Sequence, residues 1–101
     1  MVESTDALKS IIKEEYPYLK NYFGIKRIGI FGSFSIQESN TDSDIDLVVE
    51  FDKPIGFKFM ALAEFLENKF GRKVDILTPD GIKTIRVKRV AERIRESIIY
   101  V

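Results

Sequence analysis

The chain has 101 residues, with sixteen Lys plus Arg balanced by sixteen Asp plus Glu, and no His, Cys or Trp. One domain, residues 1–101, is expected at this length. The missing residue types exclude disulfide frameworks, thiolate nucleophiles, zinc knuckles, Ser-His-Asp triads and imidazole metal centres, so any metal must be held by oxygen.

Ser4 or Thr5 can cap a first helix whose apolar residues Leu8, Ile11, Ile12, Tyr16 and Leu19 follow helical spacing. Pro17 is expected to kink or divide it near Tyr16. Gly24 reads as its stop, before a β-rich run from Ile25 to Phe31 that ends at Gly32-Ser33. Ser33 to Ser43 is polar and turn-prone, with room for one helical turn at its start. Asp44 to Phe51 is the clearest strand: Ile45, Leu47, Val49 and Phe51 form one apolar face, and Asp44, Asp46, Val48 and Glu50 form the other.

Pro54 and Gly56 mark a turn, followed by a helix with Phe59, Leu62, Leu66 and Phe70 on one stripe and Gly71 as its cap. Lys73 to Thr78 is a short strand, and Pro79-Asp80-Gly81 a turn. A basic amphipathic helix closes the chain, with Val87, Val90, Ala91, Ile94 and Ile98 along its apolar face. Most of Phe57, Phe59, Phe65 and Tyr100 are expected in the core, and any apolar patch left over is available to a partner. The order predicts an α+β domain of three strands with helices packed against one face.

Asp44 and Asp46, two residues apart on a strand, leave the same face with Cα atoms roughly 6.5 Å apart. The opposite face is apolar and must be buried, so the carboxylates share the open one. A divalent cation such as magnesium would relieve their repulsion; simple solvation of a wet strand face is the alternative. Val74 and Ile76 point to the core, so Asp75 points away from it. If that strand lies beside the Asp44 strand, three aspartates converge. Gly32-Ser33, at a strand end, allows close backbone approach to a phosphate with the hydroxyl adding a bond, although such a pair alone is commonly just a turn.

The stretch Phe31-Gly32-Ser33-Phe34-Ser35, then Asp42-Ser43-Asp44-Ile45-Asp46-Leu47-Val48-Val49, resembles the polymerase-β-like nucleotidyltransferase superfamily. The length and the Val74-Asp75-Ile76 strand are similar to its minimal nucleotidyltransferase branch, which implies a small palm-like fold with a mixed sheet. The resemblance also implies transfer of a nucleoside monophosphate from a triphosphate to an acceptor hydroxyl with two magnesium ions, manganese being a possible substitute. Asp44, Asp46 and Asp75 would be the catalytic metal ligands, with Asp75 acting as or positioning the base. Gly32 and Ser33 would hold the nucleotide. One departure stands out, since Ile36 and Gln37 occupy positions that are usually Arg and Gly.

Minimal members resemble the antitoxin partner of a helical HEPN-type ribonuclease toxin. That implies ATP (or another NTP) as donor, AMP as the transferred group, a toxin tyrosine as acceptor, and a hetero-oligomer or homodimer. A module of this fold that silences its partner by occlusion alone is the alternative. The zero net charge is a cancellation: residues 1–50 carry five cationic and nine acidic side chains, residues 51–101 eleven and seven. It argues against bulk nucleic-acid binding and suggests an acidic site with a basic surface. Lys83, Arg86, Lys88, Arg89, Arg93 and Arg95 on the closing helix read as a solvated face, or as a surface for an acidic partner, RNA or triphosphate. No stretch approaches the roughly 20 apolar residues of a membrane span, and Met1-Val2-Glu3-Ser4 lacks the pattern of a signal peptide, so a cytoplasmic protein without membrane partners is expected.

Overall fold

A computed structural model of the chain describes residues 2–36 and 43–101. The first helix, α1 (Thr5–Phe23), starts where the Ser4 side chain accepts the Ala7 amide at 3.1 Å, and stops at Gly24 in the left-handed conformation. It runs through Pro17 without the expected division. Proline removes one helical bond, to the Lys13 carbonyl, but Lys13 is exposed, so water can take that bond. The buried residues Leu8 and Ile12 before Pro17, and Leu19 and Phe23 after it, anchor both halves to the same core.

β1 (Ile25–Phe31) leads into a 3₁₀ turn, Gly32–Phe34. β2 (Ile45–Phe51) and α2 (Lys58–Phe70) follow, then β3 (Val74–Leu77), α3 (Pro79–Lys83), α4 (Lys88–Ser97) and β4 (Ile99–Tyr100). The sheet is four-stranded, in the order β3-β2-β1-β4. β1 is antiparallel to both β2 and β4, while β2 and β3 are parallel, so the sheet is mixed.

The fourth strand corrects the expected three. Two residues are too short for any periodic signal, and β4 exists because it covers the outer edge of β1, which would otherwise carry unpaired backbone groups. Gly29 pairs with Tyr100 and Ile30 with Ile99, and the Val101 amide adds a bond to the Ile28 carbonyl at 2.9 Å.

The two longest helices, α1 and α2, lie on one face of the sheet. There Leu8, Ile12, Leu19, Leu62, Leu66 and Phe70 pack with Ile28, Ile30, Ile45, Leu47, Val49 and Val74. α3 and α4 cover the middle of the opposite face instead of joining them, burying Phe31 and Val48 beneath Ile82 and Ala91. The apolar Val48 among Asp44, Asp46 and Glu50 is explained by this cover.

The expected closing helix is therefore two. Thr78 caps α3 by accepting the Gly81 amide at 3.0 Å, which turns Pro79-Asp80-Gly81 from a plain turn into a first helical turn with proline at its start. α4 meets the sheet side through Ala91, Ile94 and Ile98, so Val87 and Val90 remain 54% and 45% exposed, contrary to the expected apolar stripe. Phe57, expected among the core aromatics, is 98% exposed. Phe59 and Phe65 pack against Phe51 and Phe23, and Tyr100 lies beneath the Arg27 guanidinium, 4.0 Å from its ring centre.

Gly29 is what lets the chain end close over the sheet. A β-carbon there would come within 2.5 Å of Ile98 Cγ2 and 3.1 Å of the Tyr100 ring. Gly29→Val should therefore destabilise the protein by about 2 kcal/mol in urea unfolding, because overpacking outweighs the better strand propensity of valine. Unchanged stability would show that β4 and Ile98 are not packed as described.

Candidate active site

β1 ends at Phe31, and the chain turns at Gly32 with φ +73°. The Gly32 carbonyl accepts the Ser35 amide at 3.1 Å and the Ser35 hydroxyl at 2.7 Å, closing the turn. Phe34 is fully buried beneath it, and the Thr5 hydroxyl donates to the Phe34 carbonyl. Ser33 is half-buried, and among the described residues its hydroxyl has no hydrogen bond. Ile36, exposed, follows at once. Gln37, Glu38 and Asp42 lie outside the described residues.

The turn and the carboxylates meet at Asp46. In the β1–β2 ladder Asp46 is opposite Phe31, and in the β2–β3 ladder it is opposite Asp75. Directly opposed residues of paired strands present their side chains to the same face. Asp46 thus lies between the Gly32 turn and Asp75, on the face opposite the α1–α2 core. Its Oδ2 sits so close to Gly32 that a β-carbon at that position would collide with it. Asp75 is exposed, with Val74 buried in the main core and Ile76 packed against it, as its alternation predicts. Asp44, expected on the strand, falls just before its first residue and is exposed.

Asp46 also carries the electrostatic signature of the cluster. Its pKa is raised from the ordinary 3.8 to about 6, first by burial, then by the charges of Asp75 and Asp44, and finally by a side-chain hydrogen bond with Asp75. Burial and two neighbouring carboxylates therefore disfavour a negative charge on Asp46 at this edge of the sheet.

Among the described residues no three carboxylates form a ready-made cage around a cation. The three aspartates expected as ligands are therefore near one another without forming such a cage, and a magnesium ion there would draw the rest of its shell from water and phosphate oxygens. The all-oxygen donor set and the repulsion at Asp46 both fit such an ion. Grooves of about 210 and 440 Å³ lie beside Glu50, four residues along β2 from Asp46 and roughly 13 Å away.

One residue of this edge carries no visible signal in the sequence. Arg72, between α2 and β3, reads as an ordinary solvated cation, yet it is buried and donates to the carbonyls of Val2 and Ser43. Its contacts span separations of 70 and 29 residues, which only the folded chain brings together.

The chain as a whole is similar to known proteins. Residues 6–101 fit the family model described as a nucleotidyltransferase domain. The chain belongs to this family. A Methanocaldococcus jannaschii protein assigned as a protein adenylyltransferase is 35% identical over 103 residues, covering 99% of this chain and 100% of the relative. Protein adenylyltransferase MntA of Thermococcus cleftensis is 32% identical over 97 residues, covering 95% and 94%.

A solved structure assigned as a minimal nucleotidyltransferase has a TM-score of 0.72 at 26% identity, with coverage of 96% of this chain and 95% of its own. A toxin–antitoxin crystal structure with AMP-PNP has a TM-score of 0.62 at 16% identity, covering 97% and 72%, a likeness that establishes the fold alone. As a member of the nucleotidyltransferase family, the chain is an enzyme. No helix among its described residues is long and apolar enough to cross a membrane.

Proposed function

We propose that this nucleotidyltransferase moves AMP from ATP to a hydroxyl of a partner protein, a tyrosine of a HEPN-type toxin, and so acts as an antitoxin with magnesium as cofactor. The observation that carries the reading is the placement of Asp46 against the Gly32 backbone on one side and in register with Asp75 on the other. Relatives named as protein adenylyltransferases support a protein acceptor, and toxin–antitoxin structures of the same fold prompt the choice of partner.

In this reading the acceptor oxygen attacks the α-phosphorus of ATP as the bond to pyrophosphate breaks. The backbone of the Gly32 turn and the Ser33 hydroxyl would bind the triphosphate. Asp75, exposed at the edge, would position the acceptor hydroxyl and take its proton. Asp44 and Asp46, with Asp75, would hold magnesium or manganese; the bound ion would offset the charge building on the phosphate and leaving-group oxygens.

The competing reading is a transferase-fold module that silences its partner by occlusion. It draws on the exposed Ile36 and on Gln37, which stand where Arg and Gly are usual. One experiment separates the two. Purified protein, magnesium, α-labelled ATP and the product of the neighbouring gene should yield a labelled partner, and Asp44→Ala/Asp46→Ala should abolish the label. Undiminished labelling by that variant overturns the site assignment. Tight binding that survives the substitution, with no transfer by the wild type, favours occlusion.

A further inference from the structure

The sheet holds the active-site segments only up to its edge. The last β1 residue in the ladder with β2 is Phe31, so the Gly32–Phe34 turn projects beyond it. The first β2 residue in the ladder with β3 is Ile45, so Asp44 and Ser43 also lie beyond it. Both segments leave the sheet on the same side, and strand pairing alone does not orient them.

Arg72 takes over where the ladder stops. The residue is only 9% exposed. Nε donates to the Val2 carbonyl, and Nη1 donates to the Ser43 carbonyl at 2.8 Å. The guanidinium lies over the Phe34 ring, 5.3 Å from its centre. One planar group thus touches the N-terminal segment, the turn that begins at Gly32, and the residue preceding Asp44.

Neighbouring bonds tie the same pieces down. The Val2 amide donates to the Phe70 carbonyl at 2.8 Å, the Ile45 amide donates to the Lys73 carbonyl at 2.9 Å, and Thr5 holds the Phe34 carbonyl. A guanidinium projects its donors in fixed directions within one plane, so two carbonyls bound at its nitrogens are held at a set separation. A lysine carries the charge without the fork.

We propose that Arg72 is a positioning residue for nucleotidyl transfer: it fixes the Gly32–Phe34 turn against Ser43, and thereby the nucleotide-binding backbone against Asp44 and Asp46. The proposal rests on the reading of this edge as the transfer site. Rate is sensitive to such placement, since a shift of about 1 Å in a reacting group can lower it about 100-fold.

The test compares the full-length wild type with Arg72→Lys and Arg72→Met in two measurements. The first is the steady-state rate of AMP transfer to the partner, at a temperature where circular dichroism shows each protein folded. Both variants should lose about 10- to 100-fold in kcat with the KM for the partner unchanged.

The second is amide hydrogen exchange of the protein alone. Exchange at Ser35 and Ile45 should accelerate at least about tenfold, while Ile30 and Val48, inside the sheet, keep wild-type protection. This arm does not need catalysis. If the wild type transfers nothing, the functional reading fails, yet a localised acceleration still supports the positioning role and unaltered exchange overturns it. Wild-type kcat in both variants overturns the proposal, as does acceleration spread evenly over the sheet. Loss of folding in both variants would assign Arg72 to fold stability and overturns it too; loss in Arg72→Met alone leaves Arg72→Lys to decide.

Discussion

Replacing Asp46 with Asn is expected to reduce AMP transfer at least about 1,000-fold while making the metal-free protein more stable at neutral pH. The two effects have one cause. Asp46 is surrounded by burial, by Asp75 and by Asp44, all of which disfavour its charge and raise its pKa to about 6. In the unfolded chain it would titrate near 3.8. Below the unfolded value Asp46 is protonated in both states and contributes its full stability. As the pH rises from about 4 through about 6 it ionises readily in the unfolded state but only reluctantly in the native one, so native stability falls.

The full shift would correspond to about 3 kcal/mol. Asp46 is only partly buried, and solvent screening reduces the expected gain for Asp46→Asn at neutral pH to about 1 kcal/mol. Urea unfolding in chelator at acidic and neutral pH measures this directly. The wild type should lose stability across that interval, and the variant should lose less. A variant that keeps transfer, or that is less stable than the wild type at neutral pH, would contradict the assignment of Asp46 as a charge-strained ligand site.

Gly32→Ala is expected to lower transfer about 100-fold and stability by about 2 kcal/mol. Two penalties combine at this position. A φ of +73° is unfavourable for any residue with a β-carbon. That β-carbon would also occupy the space of Asp46 Oδ2, so the carboxylate or the turn must move.

Gly24 provides the control. It has a similar φ of +69°, but a β-carbon there meets nothing within 4 Å. Gly24→Ala should therefore show the conformational penalty, about 1 kcal/mol, at an unchanged transfer rate. Equal loss of activity in both variants would mean that Gly32 acts through backbone conformation alone and not through its contact with Asp46.

The sequence by itself determined the parts whose signals are local. Alternation along Ile45–Phe51 separated a core face from a carboxylate face, and the same reasoning placed Asp75 away from Val74 and Ile76. The absence of His and Cys restricted the chemistry to oxygen donors, and Gly32-Ser33 at a strand end marked the turn. These are consequences of side-chain type and of a two-residue period, which a single strand expresses without reference to its neighbours.

Only the tertiary structure decided the rest. The parallel pairing that sets Asp46 opposite Asp75 is a relation between strands 29 residues apart. The two-residue β4 has a reason to form only once β1 presents a bare edge, and the exposure of Phe57, Val87 and Val90 follows from where α2 and α4 sit, not from their own periodicity. Arg72 is the clearest case. Nothing in Gly71-Arg72-Lys73 distinguishes a buried fork from a solvated cation, because its contacts are carbonyls of Val2 and Ser43. Backbone carbonyls are the same at every residue, so the partners of such a side chain leave no mark in the sequence, and folding alone brings them within reach.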